Sequence, residues 1–173
     1  MDLREEILKE HSKKQTNKII KWVGNNQQKF DELVSLFLKG EYRVTQRAGW
    51  PLSYIAIEHP QLISKHLKKL LLNLKKKDLH NAVIRNTLRL LQFIKIPKHL
   101  EGLVAEICFQ LLNDKKQPVA VQVFAMSVIG NLCLNYPELR QELKLSIEAQ
   151  VPYATSGYKA RSRMVLKEIS KQA

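Results

Sequence analysis

The chain has 173 residues, 45% of them hydrophobic and 26% charged, which suits a soluble globular protein with its own core. Six glycines and six prolines are too few for an all-β fold with its frequent tight turns. The formal net charge of +13 does not bear on the fold, but it favours polyanions, acidic proteins or anionic membrane surfaces as partners.

In chain order, the opening Met-Asp-Leu-Arg-Glu-Glu has no basic stretch followed by an apolar one, so no secretory signal is expected there. A helix is predicted over 2–24, with a break near Ser12. Asn25 and Asn26 are cap candidates for a helix over 26–38, in which Phe30, Leu33, Val34 and Phe37 form one stripe and which Gly40 ends. A helix over 41–58 carries Pro51. Pro60 opens the next, over 60–76, where Leu62, Ile63, Leu67, Leu70, Leu71 and Leu74 share a face. After a helix over 78–95, Pro97 opens one over 97–113 with its own apolar face, including Leu100, Val104 and Ile107. The helix over 117–135 is apolar nearly all round from Val119 to Leu134. It is interrupted by Gln122, Ser127 and Asn131 and is too short to cross a bilayer, so it reads as buried. Helices over 137–149 and 156–171 complete the series.

The helices repeat. Four segments align without gaps at an offset of 38 residues: Arg47–Leu52, Arg85–Leu90, Val123–Val128 and Arg161–Leu166. One column holds Trp50, Leu88, Met126 and Met164, and periodicity assigns these four to the repeat core. A second column holds Leu52, Leu90, Val128 and Leu166. Arg47, Arg85 and Arg161 form a third, broken by Val123; bonds to corner carbonyls or acids of a neighbouring unit are their expected role. His59-Pro60, Ile96-Pro97 and Tyr136-Pro137 mark three corners at which one helix stops and the next starts.

The segments Val44-Thr45-Gln46-Arg47-Ala48, Ala82-Val83-Ile84-Arg85 and Ala120-Val121-Gln122-Val123-Phe124-Ala125 resemble the start of the first helix of a HEAT repeat, and Pro51 resembles the proline kink often found in that helix. The chain is therefore similar to the HEAT/armadillo-like α-solenoids over about residues 41–171. It departs from their pattern in lacking the usual Asp in the corner between the paired helices. The resemblance implies an all-α, short right-handed α-α superhelix of about four helical pairs plus a closing helix. It also implies one domain over 1–173, with 1–40 as a degenerate N-terminal cap unit and 41–171 as regular repeats. Small bacterial HEAT-like proteins of the DNA alkylation repair type are a distant likeness, without their catalytic motif.

Between His59 and Leu100 lie ten Lys and Arg against a single acid, Asp78. Lys65, Lys69 and Lys76 share one side of their helix, flanked by Lys68 and interrupted by Leu72, and the leucines face the other way. Lys65, Lys68, Lys69, Lys75 and Lys76 are the candidate binding residues. If this is the second helix of a pair, they line the inner surface, where they suit phosphates or an acidic peptide; the same face also suits plain solvation. Trp22 shares a face with Ile19 and Val23, as core or as a partly open end cap. His11, His59, His66, His80 and His99 have no metal-binding spacing, and no phosphate-binding glycine loop or nucleophile elbow occurs. No catalytic residues, metal site or cofactor are expected. Cys108 and Cys133 lie among apolar neighbours and read as reduced and buried, in the cytoplasm. The expected function is a non-catalytic scaffold for an acidic or anionic macromolecule. A protein partner is the first expectation and nucleic acid the alternative; a relative of the DNA alkylpurine glycosylases stands behind both.

Overall fold

Ser12 divides the first helical stretch. In the computed structural model, which describes residues 1–171, Leu3–Lys9 forms α1 and Lys13–Val23 forms α2. The side chains of Asp2 and Ser12 cap them by accepting from the backbone N–H of Glu5 and Gln15. Each cap satisfies a donor that the helix itself leaves unpaired, worth about 1 kcal/mol. Buried Glu6 then ties α1 to α2, because its carboxylate accepts from Lys18 and Gln15 as well as from Lys9. Hydrogen bonds from Lys18, Lys9 and Gln15 hold its carboxyl down at about 2.

The remaining helices follow the hydrophobic periodicity closely. They are α3 (Gln27–Lys39), α4 (Tyr42–Glu58), α5 (Pro60–Leu74), α6 (Asn81–Leu91), α7 (Lys98–Asn113), α8 (Val119–Leu132), α9 (Leu139–Glu148) and α10 (Ser156–Lys171). A single 3-10 turn at Val151–Tyr153 precedes the last. Among the described residues there is no strand, and the architecture is an all-α helical repeat. Asn26 caps α3 through the N–H of Lys29. Pro60 is the first residue of α5, where its missing N–H costs nothing. Pro97 lies one place earlier than expected, at the N-cap of α7, with extended dihedrals that its ring suits. Gly40 ends α3, but not through a left-handed turn. Its φ is −69°, and a Cβ there would lie 2.4 Å from the Leu36 carbonyl oxygen and 2.7 Å from Val44 Cγ1.

The helices pack as two units, Met1–Lys95 and a second from Ile96 onward. In the first, α4 touches α1, α2, α3, α5 and α6, while α5 packs on both α3 and α6. Phe30, Phe37, Leu52, Ile55, Leu67 and Leu70 fill its core. Gly49 lets α4 close on α6, since a Cβ would lie 2.4–2.9 Å from the side chain of buried Asn86. In the second, α8 packs on α7, α9 and α10, around Val104, Leu112, Met126, Val128, Leu143 and Ile147. Each such side chain contributes about 1.5–3 kcal/mol by leaving water.

The two apolar columns fare differently. Leu88 and Met126 are fully buried, as are Leu52, Leu90 and Val128. Met164 is 58% exposed, which corrects its assignment to the core. Val165 takes the inward position on α10, close enough that a Cβ on Gly130 would meet its Cγ1 at 3.2 Å, and the 100° step of the helix turns Met164 outward. Trp50 is half-buried, with its indole N–H inside and its ring 5.6 Å from that of His11. The arginine column is split likewise. Arg47 Nη1 donates to the carbonyls of Leu8 (2.7 Å) and Ile7 (3.4 Å), Arg161 Nη1 donates to Ser127 Oγ (2.7 Å), and Arg85 is exposed.

Candidate functional site

The apolar face of α5 fixes what its other face must be. With Leu62, Ile63, Leu67, Leu70, Leu71 and Leu74 turned into the core, Lys65, Lys68, Lys69 and Leu72 are left on the outside, and exposed Lys76 follows just past the end of the helix. That outer face forms one wall of a groove of about 430 Å³, and the last residues of α3, Leu38 and Lys39, form the other. Asn73 completes the lining. Four of the five lysines expected to bind therefore meet in one place. Lys75 does not line the groove; it follows the last helical turn as the cap residue of α5.

Charge is distributed unevenly within the groove. Lys65 Nζ lies 2.6 Å from Asp31 Oδ2, and His66 Nε2 lies 2.6 Å from Asp31 Oδ1, so this end is neutralised. Partial burial pushes the Asp31 carboxyl up, but hydrogen bonds from Lys65, His66 and Gln27 outweigh it and hold the group at about 2. No carboxylate among the described residues pairs with Lys39, Lys68, Lys69 or Lys76. Four ammonium groups thus share a small volume without a counter-charge. Lys39 and Leu38 were missed from sequence, because a face assignment works within one helix. The repeat period held a signal, however: 38 residues on from Leu38 and Lys39 stand Lys76 and Lys77.

A second cluster joins the start of α2 to α4 and α6. The rings of His11 and Trp50 are 5.6 Å apart, and the Arg89 guanidinium lies 5.3 Å from the centroid of the Tyr54 ring. Tyr54 is 44% exposed. Its phenol is held below the usual range by Trp50 first and Arg89 second, with a further pull from Lys13. The indole N–H is buried and makes no bond of full hydrogen-bond geometry, so proximity rather than a formed bond accounts for its influence. Trp22, half-buried, lies instead beneath Lys29, whose Nζ is 4.5 Å from its ring centroid.

In the second unit a cavity of about 250 Å³ is bordered by Gln122, Gln150, Tyr153 and Tyr158, among others. Two of its glutamines, Gln122 and Gln150, serve the fold. Gln122 Nε2 donates to the Asp114 carbonyl and to Gln150 Oε1, and Gln150 Nε2 donates to the Leu112 carbonyl. Burial pushes the Tyr158 phenol up to about 12. Among the described residues no group of three or more His, Cys, Asp or Glu side chains is placed to hold a metal. Both cysteines are free and buried, and burial pushes both thiols up, away from the nucleophilic form. The buried Glu101 carboxylate is engaged by the Tyr136 hydroxyl (2.6 Å) and Asn135 Nδ2 (3.3 Å). No helix among the described residues is long and apolar enough to cross a membrane.

A family model described as a HEAT repeat domain matches residues 3–171. Neither a curated protein nor a solved structure matches the chain, and the distant likeness to DNA alkylation repair proteins gains no support.

Proposed function

This chain belongs to the HEAT repeat domain family, and from that premise we propose that it is a non-catalytic scaffold holding an acidic or anionic macromolecule in the lysine groove of α3 and α5. The observation that carries the reading is the set of four lysines, Lys39, Lys68, Lys69 and Lys76, gathered around two leucines without a carboxylate partner. Like charges so placed repel one another, and an anion in the groove relieves that repulsion while releasing its own counterions. Two free buried thiols fit a reducing compartment, and the cytoplasm is the proposed one. A protein is the favoured partner.

The test is titration of polyglutamate and of single- and double-stranded oligonucleotides into the wild type, K68E/K69E and a distant control, K14E. Binding that weakens at least about tenfold in the groove variant and much less in the control supports the reading. Equal loss in both variants means diffuse charge attraction and ends it.

The Trp50, Tyr54, Arg89 and His11 cluster favours a second reading, nucleic-acid binding, because rings interleaved with cations suit stacked bases and phosphates. A glycosylase needs in addition a carboxylate to stabilise developing positive charge, and the side chains that meet in this cluster are aromatic or basic. A gel shift at low salt that Y54A and R89A abolish would establish nucleic-acid binding at this cluster. Release of a methylated base from DNA would establish the glycosylase, and an inert protein removes it.

A further inference from the structure

We propose that the α3–α5 groove is built for an acidic protein segment bearing a bulky aliphatic side chain. Leu38 and Leu72 seat that side chain, Asn73 bonds its peptide backbone, and Lys39, Lys68, Lys69 and Lys76 pair its carboxylates. This rests on the anion-binding reading above and narrows it to one class of partner.

Two features of the groove go beyond charge. The first is Leu72. Leu72 stands 49% exposed in the middle of the lysine face, and half-buried Leu38 lines the groove with it, so the two form an apolar seat among the cations. Two apolar side chains ringed by cations match an apolar side chain flanked by acids.

The second is Asn73. It lines the groove and is only 6% exposed, yet its side-chain amide makes no hydrogen bond among the described residues. Its amide reaches the groove rather than being sealed in the core, so a ligand can take the place of water there. An amide offers both a donor and an acceptor, as a peptide group does. A phosphate backbone only accepts, which would leave the Asn73 oxygen without a donor and set charged oxygens against both leucines. Bases carry donors, but no aromatic ring lines this groove to stack them. A peptide satisfies the charges, the leucines and the amide together.

Size and polarity agree. From Lys65 to the end of α5 at Leu74 the helix rises roughly 14 Å, which about four extended residues span. Asp31 already neutralises the Lys65 end, so the acids of the bound segment belong toward Lys39, Lys68, Lys69 and Lys76.

Fluorescence anisotropy tests this with four probes: a labelled acidic peptide of about ten residues with one central Leu, the same peptide with Ser in its place, oligoglutamate, and an oligothymidylate of matched charge. The proteins are the wild type, L72A, N73A and K68E/K69E, each first shown to unfold cooperatively. The Leu peptide is expected to bind the wild type at least about fivefold more tightly than the Ser peptide, and the ratio to collapse toward one in L72A, whose exposed side chain can be cut without opening the core. N73A is expected to weaken both peptides by about threefold or more. Equal binding of the Leu and Ser peptides, or oligothymidylate binding as tight as the Leu peptide, overturns the inference; if K68E/K69E still weakens those probes, the anion-binding reading stands. Absence of lysine-dependent binding of any probe at about 20 mM salt overturns both.

Discussion

Asp31 pairs with Lys65 at one end of the lysine groove, and replacing it with Asn tests how it is held. The substitution keeps the shape and removes the charge that Lys65 and His66 share. The carboxyl is held at about 2 rather than its ordinary 3.8, because the bonds from Lys65, His66 and Gln27 outweigh the upward push of burial. At full strength that difference corresponds to about 2.4 kcal/mol. The side chain is 34% exposed, however, so solvent screening leaves about 1 kcal/mol. The folded-state value is depressed, so the stabilisation is complete above about pH 4 and is lost as pH falls toward 2. Urea unfolding of wild type and D31N at pH 7, 5, 4, 3 and 2.5 reads this directly. The gap is expected to stay near 1 kcal/mol down to about pH 4 and then to narrow steadily. A gap that is absent at pH 7, or unchanged between pH 4 and pH 2.5, refutes the reasoning.

G49A forces a Cβ into the space of buried Asn86, which is pinned by its own bond to the Ala82 carbonyl; a loss of about 1–3 kcal/mol in urea unfolding is expected, and an unchanged midpoint contradicts the close approach of α4 and α6. Y136F strips the shorter of two hydrogen bonds from the buried Glu101 carboxylate, and a fall in Tm of about 3–6 °C is expected by calorimetry. Glu101 holds the Tyr136 phenol above its usual range, so that difference should shrink above about pH 10, as the phenol ionises. Cys108 and Cys133 should react with an aromatic disulfide reagent only as fast as the fold opens, and rapidly in urea; a fast-reacting thiol in the native protein would contradict their burial.

Much of this molecule was legible in its sequence, for an identifiable reason. A helix with one apolar face announces its period, and a proline or a capping side chain announces its end. That sufficed for the break at Ser12, the cap at Asn26 and the start at Pro60. The same reasoning placed the lysines of α5 opposite its leucines, because both faces belong to one helix. It failed where two helices must be known together. Lys39, Leu38 and Asn73 enter the groove through the packing of α3 on α5, and Tyr54 meets Arg89 through the packing of α4 on α6. The repeat offset failed more subtly. It aligned Met164 with buried Met126, but a period shared by four segments does not prevent a one-residue rotation in the last, and Val165 took the inward place.

The bonds from Arg47 to the carbonyls of Ile7 and Leu8 bear on how the protein is born. A helix of seven residues is too short to persist in water unaided, and the last carbonyls of α1 find this donor some forty positions further along the chain. A ribosome releases α1 before α4, at about 5–20 residues per second. Some seconds therefore pass in which α1 has left the exit tunnel and its clasp has not yet been made. Leu3 and Ile7, buried in the folded protein, stay bare of their α4 contacts during that interval.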